Sequence, residues 1–372
     1  MKIGVPKEIK NHEYRVGMTP TSVREAVHHG HEVVVETNAG AGITATDDDY
    51  RAAGAVVEDS AEAVFAGADM IVKVKEPQAN ERKMLRDGQM LFTYLHLAPD
   101  PEQTRDLLDA GVVGIAYETV TDAHGGLPLL APMSQVAGRM SIQAGAHCLE
   151  REAGGRGVLL AGVPGVKPAK VVIVGGGVVG ENAAYMAVGM GADVTVLDRN
   201  VDTMRSLVRR FGQSIKTLYS TQLTLEEEIL GADLVVGAVL VPGAEAPKLI
   251  TRELVAGMKT GSVICDVAID QGGSAETSKP TTHADPTYVV DEVVHYCVAN
   301  MPGAVSHTST YALNNVTLPF ILALADKGHK RALLDDPHLR NGLNVYRGRV
   351  THKAVAEDLE YDYIDPVSAL EG

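Results

Sequence analysis

Lys170-Val-Val-Ile-Val-Gly175-Gly-Gly177-Val-Val-Gly180 runs directly into Glu181-Asn-Ala-Ala-Tyr-Met-Ala187, and Ala192-Asp-Val-Thr-Val-Leu-Asp198 follows. The spacing predicts a strand, a glycine turn, a helix and a second strand that ends on a carboxylate. In such a unit Gly175 permits the turn, Gly177 lets backbone approach a pyrophosphate, and Gly180 lets the helix pack on the sheet. The helix N-terminus offers N–H groups to the phosphates. Asp198, 18 positions after Gly180, stands near the spacing of an acid that binds ribose hydroxyls. A glycine-rich turn can also be purely structural; here the flanking strand, helix and terminal Asp all agree with dinucleotide binding. Asp198 would repel a 2′-phosphate, favouring NAD over NADP, although Arg199 next door works against that preference.

Outward from this unit, 372 residues exceed a usual single core and predict two domains. Short apolar strands alternate with amphipathic helices from the start. Strands are expected at Lys2–Pro6, His31–Glu36, Met70–Lys75, Met90–His96 and Val112–Glu118, with helical patterns near Thr21–His29, Ala61–Ala66, Glu81–Leu85 and Pro101–Ala110. A long helix from about Ser134 to Glu152, stopped by Gly154-Gly155, precedes a second series of strands. These run through Lys170–Val174, Asp193–Leu197, Ile215–Tyr219, Leu234–Ala238 and Ser262–Val267, with a last one near Tyr288–Val290. From about Ser309 the pattern is helical, with an expected buried face of Leu313, Val316, Leu318, Phe320 and Ile321. The fold class is therefore α/β, with two doubly wound parallel-sheet, Rossmann-like domains and an interdomain cleft. Residues 1–128 and 306–372 are assigned to a discontinuous substrate domain, and 129–305 to the nucleotide domain.

A net charge of −15 argues against nucleic acid or an anionic membrane as partner, since both would repel the chain. No apolar run approaches a bilayer span and no leader pattern opens the chain, so a cytoplasmic location is expected. Cys148, Cys265 and Cys297 have no CxxC spacing and read as buried free thiols. His28, His29 and His31 resemble a metal cluster, but at a helix end cationic side chains also suit the dipole.

Ligands of open α/β sheets bind at the carboxyl ends of strands. In the first domain these positions carry Arg15, Lys75 and His96; in the second, Asp270 precedes Gly272-Gly273. Singly, each has a bland reading: a surface cation, a core imidazole, an Asp opening a turn. Together they offer two cations, one imidazole and one carboxylate.

The segments Val5-Pro-Lys-Glu-Ile-Lys-Asn11, Glu13-Tyr-Arg-Val16, Val72-Lys-Val-Lys-Glu-Pro77, Tyr94-Leu-His-Leu-Ala98, Ala268-Ile-Asp-Gln-Gly-Gly273 and Cys297-Val-Ala-Asn-Met-Pro-Gly303 resemble the L-alanine dehydrogenase family. That family also includes the NAD(H)-binding subunit of proton-translocating transhydrogenase. The resemblance spans essentially the whole chain. It implies reversible oxidative deamination of L-alanine to pyruvate and ammonia with NAD, in a homohexamer. It implies that Arg15 clamps the substrate carboxylate, Lys75 binds carboxylate or carbonyl oxygen, His96 moves protons, and Asp270 orients water or ammonia. It places cofactor contacts at Ser134, Gly175, Gly177, Val178, Val179, Gly180, Asp198, Ser220, Val239, Leu240, Val267, Ala268, Ile269, Asp270, Lys279, Val298, Ala299, Asn300 and Met301. Lys279 stands where relatives often have Arg. Ala323 and Lys327 stand where some relatives carry a Glu and a His as a metal pair, so no metal is expected. A transhydrogenase subunit would not need the Arg15, Lys75 and His96 set. Enzymes that join lysine to a keto acid would need a larger pocket than Tyr94, Leu130, Met133 and Met301 suggest.

Overall fold

Valine and isoleucine runs form the strands of two sheets. The first takes β1 (Lys2–Val5), β2 (Glu32–Glu36), β3 (Val56–Glu58), β4 (Met70–Val72), β5 (Met90–Thr93) and β6 (Val113–Ala116). The second takes β7 (Lys170–Val174), β8 (Asp193–Asp198), β9 (Ile215–Tyr219), β10 (Leu234–Gly237), β11 (Val263–Asp266), β12 (Thr287–Val290) and β13 (Val293–Tyr296). Two late strands, β14 (Leu343–Tyr346) and β15 (Arg349–Val350), return to the first sheet. This computed structural model describes residues 1–239 and 246–372. Two units share the chain, Met1–Pro132 with Val305–Gly372, and Met133–Ala304.

In the first unit the strand order is β15-β14-β6-β5-β4-β1-β2-β3. Strands β1 to β6 are mutually parallel, so their carboxyl ends share one edge. All four residues of β5 and of β6 are buried, as expected of strands covered on both faces. Helices start where capping residues allow. Thr19 caps Pro20–His28 through Ser22, Thr46 and Asp49 form a reciprocal capping box on Asp47–Ala52, and Asp100 caps Pro101–Asp109. Leu91, Leu95 and Leu107 meet Val345, Val350 and Val355 in one core, so the C-terminal segment completes this unit.

In the second unit the order is β12-β13-β11-β10-β7-β8-β9. Order reverses at β7, flanked by β8 and β10, which is the switch point of a doubly wound nucleotide fold. Val172, Val174, Leu197, Val235 and Ile264 form the core beneath it.

The two-sheet α/β class holds, with differences at the edges. β12 pairs antiparallel with β13, a strand the periodicity did not reveal, and β14 pairs antiparallel with β6. The helix Asp47–Ala52 and the strand β3 were also unanticipated. The helix expected over 134–152 spans Ala131–Cys148, and a short turn, Arg151–Ala153, follows before Gly154 (φ +90°).

The expected buried face of the late helix needs correction. The helix spans Ser306–Lys327, and of that face only Leu313 and Ile321 are buried, while Val316, Leu318 and Phe320 are half-buried. The inward side carries Ser309, Thr310, Asn314 and Thr317. Asn314 decides the rotation: its Oδ1 accepts from Thr19 N and Ser22 Oγ, and its Nδ2 donates to Gly17 O. A buried amide so satisfied outweighs the apolar pattern around it.

Candidate functional site

Three neighbouring parallel strands, β1, β4 and β5, lead into the loops that carry Arg15, Lys75 and His96. Arg15 is 3% exposed and forks onto Glu13, Nε to Oε1 at 2.6 Å and Nη2 to Oε2 at 2.5 Å. Burial alone would raise the Glu13 carboxyl. The hydrogen bonds and charge of Arg15, with help from Lys75, win and hold it at about 2. Lys75 is depressed by burial first and then by the charge of Arg15. Two such cations within electrostatic reach of each other favour an anion between them.

Lys75 is aimed from below. Glu8 Oε1 accepts from Val74 N at 2.7 Å and from Lys75 N at 3.3 Å, while Thr93 Oγ1 donates to Lys75 O. Lys73, with no exposed surface, bridges Glu8 Oε2 at 3.1 Å and Glu81 Oε1 at 2.8 Å. One ammonium thus serves two buried carboxylates. Its protonated form is favoured despite burial, while the Glu8 carboxyl is raised by burial.

His96 is 47% exposed at the side chain and sits in the left-handed region, φ +48°. Such backbone costs about 1–3 kcal/mol and is held by its surroundings. Glu118, just past β6, provides the hold: it accepts from His96 N at 2.6 Å and Leu95 N at 3.1 Å, and its Oε1 lies 3.9 Å from Nδ1 of the ring. The Tyr94 ring stacks on the imidazole, 5.8 Å between centroids at 8°, and its hydroxyl donates to Leu129 O.

The second unit places most of the expected nucleotide contacts on one sheet edge. Gly175–Gly177 follow β7, Asp198 ends β8, Ser220 follows β9, Val239 follows β10, Val267–Asp270 follow β11, and Val298–Met301 follow β13. Gly175 has φ +102°, and a Cβ on Gly180 would meet Gly175 O at 1.8 Å, so both positions require glycine. Around a Cβ built on Gly177 nothing lies within 4 Å. Gly177 is the N-cap of the helix Val178–Gly189, whose first N–H groups, those of Val178 and Val179 included, have no partner within the helix. An open cradle over a helix N-terminus fits a pyrophosphate.

Asp198 Oδ2 accepts from Gly176 N at 2.6 Å and Oδ1 from Asn200 N at 2.7 Å, tying the β8 end to the glycine turn. Asp270 is exposed, in the turn Val267–Gln271, whose Ala268 and Ile269 are buried. Lys279 is exposed and lies over the Tyr288 ring at 4.5 Å, with its N–H donating to Tyr288 Oη. Ser134 lies in the first turns of the helix Ala131–Cys148, half-buried. Leu240 lies outside the described residues.

Sequence reading assigned no role to Glu8, Glu13, Glu118 or Asp266. Glu118 ended an expected strand, and Glu8 and Glu13 stood in segments that carry the resemblance, the signals available. The cysteines are all free and buried, with raised thiol pKa values from burial. His29 Nδ1 and His31 Nε2 both meet Asp326, at 3.1 and 2.7 Å.

Residues 4–137 match the family model described as alanine dehydrogenase/PNT, N-terminal domain, and 141–353 match its C-terminal domain. An alanine dehydrogenase of Halomonas elongata is 60% identical over the full length of both chains. A solved L-alanine dehydrogenase superposes with a TM-score of 0.94 at 54% identity, covering 97% of this chain and 99% of the other. A transhydrogenase from Sinorhizobium meliloti gives 0.84 at 25% identity, covering 94% and 100%.

Proposed function

The chain belongs to the alanine dehydrogenase/PNT family, and from that premise we propose that it interconverts L-alanine with pyruvate and ammonia, using NAD as hydride acceptor. The observation that carries the substrate side is the pair of cations, buried Arg15 and half-buried Lys75, in the loops that follow the adjacent strands β1 and β4. They suit a small carboxylate, and Arg15, already oriented by Glu13, supplies directional hydrogen bonds. Lys75 stabilises charge on the carbonyl oxygen. His96, held by Glu118, moves the proton as ammonia adds to the ketone and water leaves. Asp270 orients the attacking water or ammonia.

In the oxidative direction water enters, ammonium and a proton leave, and nicotinamide, when bound, would accept the hydride from Cα. The cradle of Gly175, Gly177, Val178 and Val179 would hold the pyrophosphate, and Asp198 the ribose hydroxyls. Ser134, Ser220, Val239, Leu240, Val267 to Asp270, Lys279 and Val298 to Met301 would complete the nucleotide site. A homohexamer, on the family resemblance, and a cytoplasmic location are part of the same proposal. No helix of the described residues is long and apolar enough to cross a membrane.

The test follows NADH absorbance with pyruvate, with and without ammonium, and again with NADPH. Strictly ammonium-dependent oxidation of NADH is expected. Tight NADH binding without turnover would favour the transhydrogenase reading instead. Asp198→Ala is expected to raise the KM for NAD and relax discrimination against NADP. Unchanged selectivity would place the ribose acid elsewhere. A solution mass of six chains checks the assembly.

A further inference from the structure

Strand β11 ends on Asp266, a carboxylate with no exposed surface. Among the described residues its hydrogen-bond partners are N–H and O–H dipoles rather than a cation. Oδ2 accepts from Ser274 N at 2.7 Å, Ala275 N at 3.1 Å and Ser278 Oγ at 2.6 Å. Oδ1 accepts from Ala268 N at 3.2 Å and Ser274 Oγ at 3.0 Å. These donors lie on both sides of Asp270, and the last of them, Ser278, precedes Lys279.

The surroundings leave room for this carboxylate. A Cβ on Gly237 would stand 2.7 Å from Asp266 Oδ1 and 2.1 Å from Ser274 Oγ. A Cβ on Gly273, at φ +85°, would stand 2.9 Å from Oδ2. On the far side of the turn, Lys248 Nζ donates to the carbonyls of Gly272 and Gly273, and Ala246 N donates to Gln271 O. The Gly272–Gly273 pair would leave this segment a loose backbone by composition, yet the segment is pinned from both directions.

We infer that Asp266 is the positioning residue of the Asp270 turn: one buried carboxylate gathers Ala268, Ser274, Ala275 and Ser278 and so sets where Asp270 and Lys279 stand. This rests on the reading of Asp270 given above. Asp266 touches no substrate; it acts through the turn. Displacing a reacting group by about 1 Å costs on the order of a hundredfold in rate, the scale at issue here.

The experiment compares Asp266→Asn, Asp270→Asn, the double variant and Ser278→Ala in the full-length protein. It reads kcat, the KM for pyruvate, NADH binding and thermal stability. In Asp266→Asn the amide nitrogen must face donors on whichever side it lies. The expected result is a kcat lower by roughly a hundredfold with the pyruvate KM held within about threefold, since Arg15 and Lys75 are untouched. Ser278→Ala removes one hydrogen bond and is expected to lower kcat several-fold with little change in melting temperature.

The double variant is expected to turn over no more slowly than Asp270→Asn alone, because both changes remove one contribution. Effects that multiply, or a wild-type kcat in Asp266→Asn, overturn the inference. If Asp266→Asn does not fold, the cycle of Ser278→Ala with Asp270→Asn decides by the same criterion. A wild-type kcat in Asp270→Asn sinks the catalytic reading of that residue itself, a separate failure seen in the single variant.

Discussion

In the Glu13–Arg15 pair a buried guanidinium is fixed in orientation by a carboxylate two residues away. The fork from Nε and Nη2 holds the guanidinium plane while both groups lie out of water. Its pH dependence has a defined sign. The Glu13 carboxyl falls from 4.5 to about 2, so the ionised pair contributes fully above pH 4.5 and is lost as pH drops toward 2. The contribution is on the order of 3 kcal/mol. Glu13→Gln should therefore flatten the fall in stability over that acid window, as measured by urea melts at a series of pH values; an unaltered slope would mean another group carries it. His96 illustrates the other residue-scale device, an exposed imidazole on strained backbone held by Glu118. His96→Ala is expected to lower turnover by at least about a hundredfold while NADH affinity stays within twofold. Turnover within tenfold of wild type would remove its acid/base role.

At the scale of elements, the strand–turn–helix around Gly175–Gly180 was readable because each constraint is local. Gly180 approaches Gly175 O so closely that any side chain must open the turn. Gly180→Ala is expected to lower the melting temperature and abolish NADH binding in a fluorescence titration. Retained binding would mean that the turn can relax without losing its cradle. The long runs β7, β8 and β9 kept nearly their expected bounds, because their apolar residues are contiguous and bounded by turn formers. Short strands escaped notice: β3 has three residues and β15 two, too few for a period to register. The helix Ser306–Lys327 was recognised as a helix but with the wrong inward face. Its periodicity reports apolar residues, whereas Asn314 turns the polar side toward Thr19 and Ser22.

At the scale of the whole molecule, the C-terminal segment matters more than its composition suggests. Val345 and Val350 are buried against Leu91, Leu95 and Leu107, residues more than two hundred positions earlier. Ending the chain after Asp336 would strip β14 and β15, uncover the β6 edge and open that core. The expected outcome is loss of soluble folded protein, checked by yield and near-ultraviolet circular dichroism; a native spectrum would show the segment dispensable.

By itself the sequence determined the alternation of strands and helices, the glycine cradle and its terminal Asp198, and the strand-end positions of Arg15, Lys75, His96 and Asp270. These depend on neighbours a few residues away, through backbone sterics and periodic burial. Only the tertiary structure decided which carboxylates are buried and what each one holds. Glu8 meets Lys73 and the Lys75 backbone, and Glu118 meets the His96 backbone. Asp266 gathers a turn folded back onto it. A carboxylate looks the same in a sequence whether it faces water or a cation, since its desolvation and its partners are set by chain segments that only folding brings together.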